Sequence, residues 1–156
     1  STLHTNGAVA TISRLADMGV DHYMIADSLI GVISQRLLKV LCPKCRQSHV
    51  VDQLDQRKYK LPSKMIGQTV YKSCGCPLCN KGYIGRTIVP ELLEITEPIK
   101  KAIHDKESSQ VIEELAIKQG MVKQLDYAYS LALEGKTSLD EIYRIYGGVS
   151  NEKSSD

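Results

Sequence analysis

Leu41-Cys42-Pro43-Lys44-Cys45 and Gly75-Cys76-Pro77-Leu78-Cys79 carry the same turn twice in one chain of 156 residues. A Cys-Pro-x-Cys turn lets two thiolates converge on one ion while backbone amides donate to the sulphurs. Two such turns, from separate hairpins, supply the four soft ligands of a closed tetrahedral zinc site. The spacer is longer than in the commonest ribbons, but the ion requires only that the turns meet in space. A thioredoxin-like redox pair accounts for one turn and not the other, and the βαβ surroundings of such a pair are absent. Buried free thiols need no repeated spacing. The sequence therefore predicts a structural Zn2+ held by Cys42, Cys45, Cys76 and Cys79. Cys74 is expected outside the set, since pairing it with Cys79 widens the loop and loses the match between the turns. His22, His49 and His104 lie singly on polar or amphipathic stretches and are expected at the surface or at caps, not on the metal.

Working outward, Val32–Leu41 reads as a strand running into the first turn, and Thr87–Ile95 as a strand after the second, with Gly82–Arg86 a turn. Between the cysteine pairs, His49–Lys60 is charged and weakly helical, and Thr69–Lys72 is a short strand. On the N-terminal side, Ser1–Asn6 reads as the end of a buried strand. Apolar residues at helical spacing follow over Ala8–Met18, with Asn6 as cap and Gly19 as stop. Asp21 caps a second helix, His22–Ile30, with Tyr23, Ile25, Ala26 and Leu29 inward. Beyond Ile95 the pattern is helical: Glu97–His104 with Pro98 in the first turn, Ser108–Gln119 capped by Ser108 or Ser109, Leu125–Glu134, and Ser138–Tyr146. The last opens with a capping-box spacing, Ser138 and Glu141. These helices are expected as one bundle on the strand Thr87–Ile95, with Leu115, Leu125, Leu131 and Ile142 in its core. Tyr127, Tyr129, Tyr143 and Tyr146 are expected in the core or at its rim. The tail 150–156 is polar and expected to be disordered.

Composition narrows the classes. Hydrophobic content of 42% and charged content of 24% are those of a globular protein. Net charge is +2, without the concentrated basic, aromatic-interleaved strand of a nucleic-acid binder, so no nucleic-acid partner is expected. No apolar run approaches the roughly 18–20 residues that cross a bilayer. Five cysteines with no secretory leader point to the reducing cytoplasm and to metal rather than disulfides. Starting on Ser1 without Met, the chain reads as a piece of a longer protein.

The order of short strings adds a resemblance. Ser1-Thr2-Leu3-His4-Thr5-Asn6 is followed by Arg14-Leu15, Met18-Gly19, Gln35-Arg36-Leu37 and the Cys42 turn. Later come Gly75-Cys76-x-x-Cys79, Gly82-Tyr83-x-Gly85-Arg86-Thr87 and Glu91-Leu92-Leu93. From Ser1 to about Tyr146 the chain resembles the C-terminal part of the secretion ATPases that drive type II secretion and type IV pilus assembly. The resemblance implies a RecA-like motor working as a hexamer on the cytoplasmic face of the inner membrane. It implies ATP and Mg2+ as cofactors of the full-length protein, and an inner-membrane platform protein as partner. His4 would act at the γ-phosphate, as catalytic and nucleotide-binding residue, supported by Thr5 and Asn6. Arg36 would contact nucleotide or an interface. The family's retraction motors lack the tetracysteine module, which favours assembly over retraction.

The fold expected is mixed α/β: the terminal part of a RecA-like ATPase domain, with a tetracysteine zinc module and a C-terminal helical bundle. Residues 1–41 would be the distal ATPase core, 42–86 the zinc module, 87–149 the strand and bundle, and 150–156 the tail. No Gly-x-x-x-x-Gly-Lys-Ser/Thr string occurs to cradle phosphates, so the chain alone is expected to be inactive as an ATPase. Two other readings compete: a zinc-ribbon adaptor without a motor, and a zinc hydrolase. Four cysteines close the metal's shell, which leaves a hydrolase no open position.

Overall fold

The computed structural model describes residues 5–147. Among them are seven α-helices and four strands, a mixed α/β arrangement. The strands form two two-stranded sheets, β1 (Gly31–Leu41) with β4 (Tyr83–Glu94) and β2 (Gln47–Val50) with β3 (Thr69–Lys72). Each pair is antiparallel. Ile95 N donates to Ile30 O at 3.0 Å at one end of the longer pair, and Cys42 N to Gly82 O at 2.8 Å at the other. In the shorter pair Gln47 faces Lys72 and Val50 faces Thr69. Strand β2 takes His49 and Val50, which the charged pattern assigns to a helix. That helix, α3 (Gln53–Tyr59), starts later, at a reciprocal cap in which Asp52 and Asp55 each accept the other's amide. Strand β4 also begins earlier than expected: Tyr83–Arg86 pair with β1 rather than turning. The turn is confined to Asn80–Tyr83, whose backbones exchange two 3.0 Å bonds.

The chain divides into two compact units. The first comprises Ser1–Arg36 and Pro90–Gln124. Its core gathers Val9 and Ile12 of α1 (Ala8–Asp17), Ile25 of α2 (His22–Ser28), Leu93 and Ile95. Ile99 and Ile103 of α4 (Glu97–His104) and Ile112 of α5 (Ser109–Lys118) complete it. Asn6 does not cap α1. Gly7 holds the cap position, and the Asn6 side chain accepts from Arg36 Nη2 at 2.6 Å instead. A buried carboxylate does the capping from a distance: Glu91 Oε1 accepts from Ala8 N at 2.7 Å while Oε2 accepts from Gln124 N at 3.1 Å. Asp21 caps α2 as expected, by accepting from Tyr23 N. Tyr23 itself points outward, against expectation, its ring centre 5.9 Å from that of His104 in an edge-on contact. With Ile25 and Ala26 fixed inward, a residue two positions earlier falls off the buried face.

The second unit comprises Leu37–Val89 and Leu125–Asp156. Leu38, Val51, Tyr59, Leu61, Met65, Val70 and Val89 meet Ala128, Tyr129, Leu131 and Ala132 of α6 (Gln124–Leu133). Leu139, Ile142 and Tyr146 of α7 (Leu139–Tyr146) close the cluster. The four helices after Ile95, expected as one bundle, are thus shared between two cores. Leu131 and Ile142 are buried, whereas Leu115 and Leu125 are only partly so. Leu54 and Ile66, apolar residues between the cysteine turns, are exposed. On α3 the buried pair is Asp55 and Tyr59, at i and i+4, which turns Leu54 to solvent. At α7, Ser138 accepts from Glu141 N as the capping box requires, but Glu141 does not reciprocate. Its carboxylate accepts from Lys39 N at 3.0 Å and binds Arg144 through both oxygens. The tail 150–156 lies outside the described residues.

Leu131 is 3% exposed in the second unit's core. Leu131→Ala is expected to cost about 2–5 kcal/mol, read from the denaturant transition of the metal-loaded chain. Tyr127→Ala, at an exposed position of the same helix, is expected to change it by about 0.5 kcal/mol or less.

Candidate metal centre

The two cysteine turns are the connections between the sheets. Residues 42–45 lead from β1 into β2, and residues 76–79 lead from β3 into β4. Since β1 pairs with β4 and β2 with β3, both turns are carried to the same place. The bond from Cys42 N to Gly82 O closes one side of that place and the Gln47–Lys72 pair the other. Gly82 is required there. Its φ is 89°, and a Cβ would lie 2.6 Å from the Ser73 side chain and 2.9 Å from Cys74 N.

All four sulphurs lie within 4.8 Å of one another. Cys42 and Cys76 are 3.9 Å apart, Cys45 and Cys79 3.8 Å, and Cys76 and Cys79 3.6 Å. A tetrahedral ion with metal–sulphur bonds of about 2.3 Å sets its ligands about 3.8 Å apart. The spacing therefore fits a shared ion. Cys42 is buried and the other three are half-buried. Backbone amides serve the sulphurs as such turns allow, Gly75 N donating to Cys45 Sγ at 3.3 Å and Cys76 N to Cys79 Sγ at 3.2 Å. Cys74 is exposed and takes a bond from Gln47 Nε2 at 3.6 Å. It is not part of the cluster.

The thiols hinder one another's ionisation. The Gly75 amide lowers the pKa of Cys45, but desolvation and the neighbouring thiols of Cys79, Cys76 and Cys42 push it up to about 12. Cys79 goes the other way: desolvation raises it, but the Cys76 amide and further donors bring it down to about 7. A cation in the middle would let all four become thiolates together.

Around the centre runs a set of contacts that the spacing of cysteines does not reveal. Arg46 Nη1 donates to Gly135 O, and its guanidinium lies 4.5 Å from the centre of the Tyr71 ring. Gly135 has a φ of 71°, and a Cβ there would fall 2.5 Å from Arg46 and 2.7 Å from Tyr71. Leu41 N donates to Lys136 O at 2.8 Å, Thr137 Oγ1 donates to Lys39 O at 2.9 Å, and the hydroxyls of Tyr83 and Ser138 are 2.6 Å apart. The loop 135–138 thus grips β1 beside the first turn and the start of β4. Only the string Gly82-Tyr83 hints at this in the sequence.

None of His22, His49 and His104 belongs to the cluster. His49 Nε2 is 2.5 Å from Asp55 Oδ2. Burial raises the pKa of Asp55, but this contact and the Asp52 amide outweigh it and hold the carboxyl below its usual range. His4 lies outside the described residues. Arg36, the other expected nucleotide contact, meets Asn6 of the Ser1–Asn6 string.

Residues 1–144 match the sequence profile of the Type II/IV secretion system protein family. The chain belongs to this family. It is 39% identical over 146 residues to the type II secretion system ATPase E of Vibrio cholerae, covering 93% of this chain and 29% of that protein. Against the type II secretion system protein E of Dickeya dadantii the identity is 38%, over 93% of this chain and 28% of the relative. Against the type IV pilus assembly ATPase PilB of Thermus thermophilus it is 38%, over 91% of this chain and 16% of the relative. The chain therefore spans less than a third of the length of these relatives.

Purified without chelator, the chain is expected to carry one divalent ion, measured by atomic emission. Serine at Cys42, Cys45, Cys76 or Cys79 should remove it, and Cys74→Ser should not. Release by Cys74→Ser but not by Cys76→Ser would reassign the ligands.

Proposed function

We propose that this chain works as the C-terminal part of a hexameric motor ATPase that powers type IV pilus assembly or type II protein secretion. The observation that carries the reading is the family match over residues 1–144 together with relatives named for both machines. On this reading residues 1–41 end a RecA-like nucleotide-binding domain, and His4 and Arg36 act at ATP and its Mg2+. The contact of Arg36 with Asn6, at the end of the histidine string, supports that assignment. The longer protein would hold its platform partner at the cytoplasmic face of the inner membrane. No helix among the described residues is long and apolar enough to cross a membrane.

The ion is proposed to be Zn2+ in a structural role. Four thiolates suit a soft tetrahedral ion, and closed coordination leaves it no catalytic position. When bound, it supplies the charge that keeps the four thiolates together. The chain's own residues do the rest: Gly75 and Cys76 amides orient sulphurs, Gly82 lets the turns approach, and Arg46 ties the first turn to the loop 135–138. That set of contacts favours a structural module over a hydrolase.

With no phosphate-cradling loop in it, the chain alone is expected to release phosphate from ATP at the background rate. Loss of its gene is expected to abolish piliation or release of secreted enzymes, and His4→Ala in the intact gene should fail to restore it. Turnover by the purified chain, or a gene deletion that leaves both processes intact, would overturn the proposal.

A further inference from the structure

In helices α2, α3, α5 and α7 a first-turn amide donates to the side chain of the residue just before the helix, Asp21, Asp52, Ser108 and Ser138 respectively. Such local caps are the ordinary answer to the unpaired amides of a helix start. Helix α1 does without one. Its cap position is Gly7, with no side chain and a φ of 109°, and its first amide is served by Glu91 from β4. Glu91 is 7% exposed, and a carboxylate is costly to bury unless its oxygens are hydrogen-bonded. Both are: Oε1 accepts from Ala8 N and Oε2 from Gln124 N. Each of these amides opens a helix, so the positive ends of α1 and α6 both favour the charge.

The stretch held in this way is the exit of the histidine string. Asn6 accepts from Arg36 of β1, and Thr5 Oγ1 donates to Gly7 O at 3.2 Å and lies 2.8 Å from Thr11 Oγ1. Gln124 adds a second tie to β1, its Nε2 donating to Ser34 Oγ at 3.1 Å. Residues 5–8 are therefore anchored to two strands that pair with each other. Gly7 belongs to the arrangement, since a Cβ there would lie 3.2 Å from Glu91 Oε1 in a backbone conformation that side chains rarely adopt. A cap serving α1 alone would need only Ser, Asp or Asn at position 7. A buried carboxylate from 83 residues away does more: it ties the backbone at Ala8 to a paired strand, which is a more precise support than a loop.

We propose that Glu91 is a positioning residue for nucleotide chemistry: by fixing the backbone at Ala8 it sets the placement of His4, four residues earlier in the chain. The inference rests on the proposed role of His4 at ATP, and it adds a residue outside the string on which that role depends. Glu91 acts through the string and not on the nucleotide itself.

The test is ATP hydrolysis by the full-length protein that contains this chain, carrying Glu91→Gln, His4→Ala or both. Glutamine keeps the size of Glu91 but turns one accepting oxygen into a donor, which faces an amide that also donates. For Glu91→Gln, kcat is expected to fall about ten- to a hundredfold, with KM for ATP within about twofold of wild type. Because Glu91 acts through His4, the double variant should be no slower than His4→Ala alone, whereas a purely structural loss would multiply with it. Ser108→Ala removes the local cap of α5; it should lower the melting temperature and leave kcat unchanged. If Glu91→Gln does not fold, Glu91→Asp takes its place in the cycle, since it keeps the charge but is too short to serve both amides. Multiplying losses in the double variant would overturn the proposal and leave the role of His4 intact. So would wild-type kcat in a folded Glu91 variant beside a slow His4→Ala, or a kcat loss in Ser108→Ala equal to that in Glu91→Gln. Wild-type kcat in His4→Ala would overturn the role of His4, and the proposal with it.

Discussion

Four sulphur atoms held within 4.8 Å of each other are a constraint that the polypeptide cannot satisfy with thiol chemistry alone. Ionised, they repel; protonated, they are four weak donors with few acceptors. The displacement of Cys45 to about 12 and of Cys79 to about 7 expresses the conflict. The chain creates it by topology, since both cysteine turns join strands of the same two sheets. A cation held among them would resolve it. An ion bound there would close the excursion from β2 through α3 to β3 at its base.

Such an ion would not be the excursion's sole support. By sequence alone, the residues between the turns hold too few apolar side chains to order themselves at roughly 1–2 kcal/mol of backbone entropy each. In the structure, Tyr59, Leu61, Met65 and Val70 join a core that α6 and α7 complete. A bound metal would therefore close the turns, and the core holds what lies beyond them. Between the two runs the grip of the loop 135–138, with Thr137 and Ser138 buried and Glu141 of α7 buried beside them. Glu141 sits there as a carboxylate: burial raises its pKa, but Arg144 and the Lys39 amide bring it below its usual value.

The parts of this structure that are legible in the sequence are those with short-range causes. Repeated Cys-Pro-x-Cys spacing marks the cluster and leaves Cys74 aside. Pro98, Ser108, Asp21 and Ser138 mark helix starts. The causes that escape act across the chain. Nothing local in Tyr83–Arg86 shows that β1 will extend the strand, and nothing near Asn6 shows that Glu91, far along the chain, will take over the cap. Arg46, Tyr71 and Gly135 are ordinary residues until the fold places them in contact.

The family match places residues 1–144 among the Type II/IV secretion system proteins, and the geometry of the sulphurs carries the central claim, that one ion bound by four thiolates closes the two turns. X-ray absorption at the zinc edge of the purified chain tests it most directly. A single shell of four sulphur scatterers at about 2.3 Å is the result this account predicts. A shell containing nitrogen or oxygen at about 2.0–2.2 Å would contradict it, because a position in the coordination sphere would then belong to a histidine, a carboxylate or water.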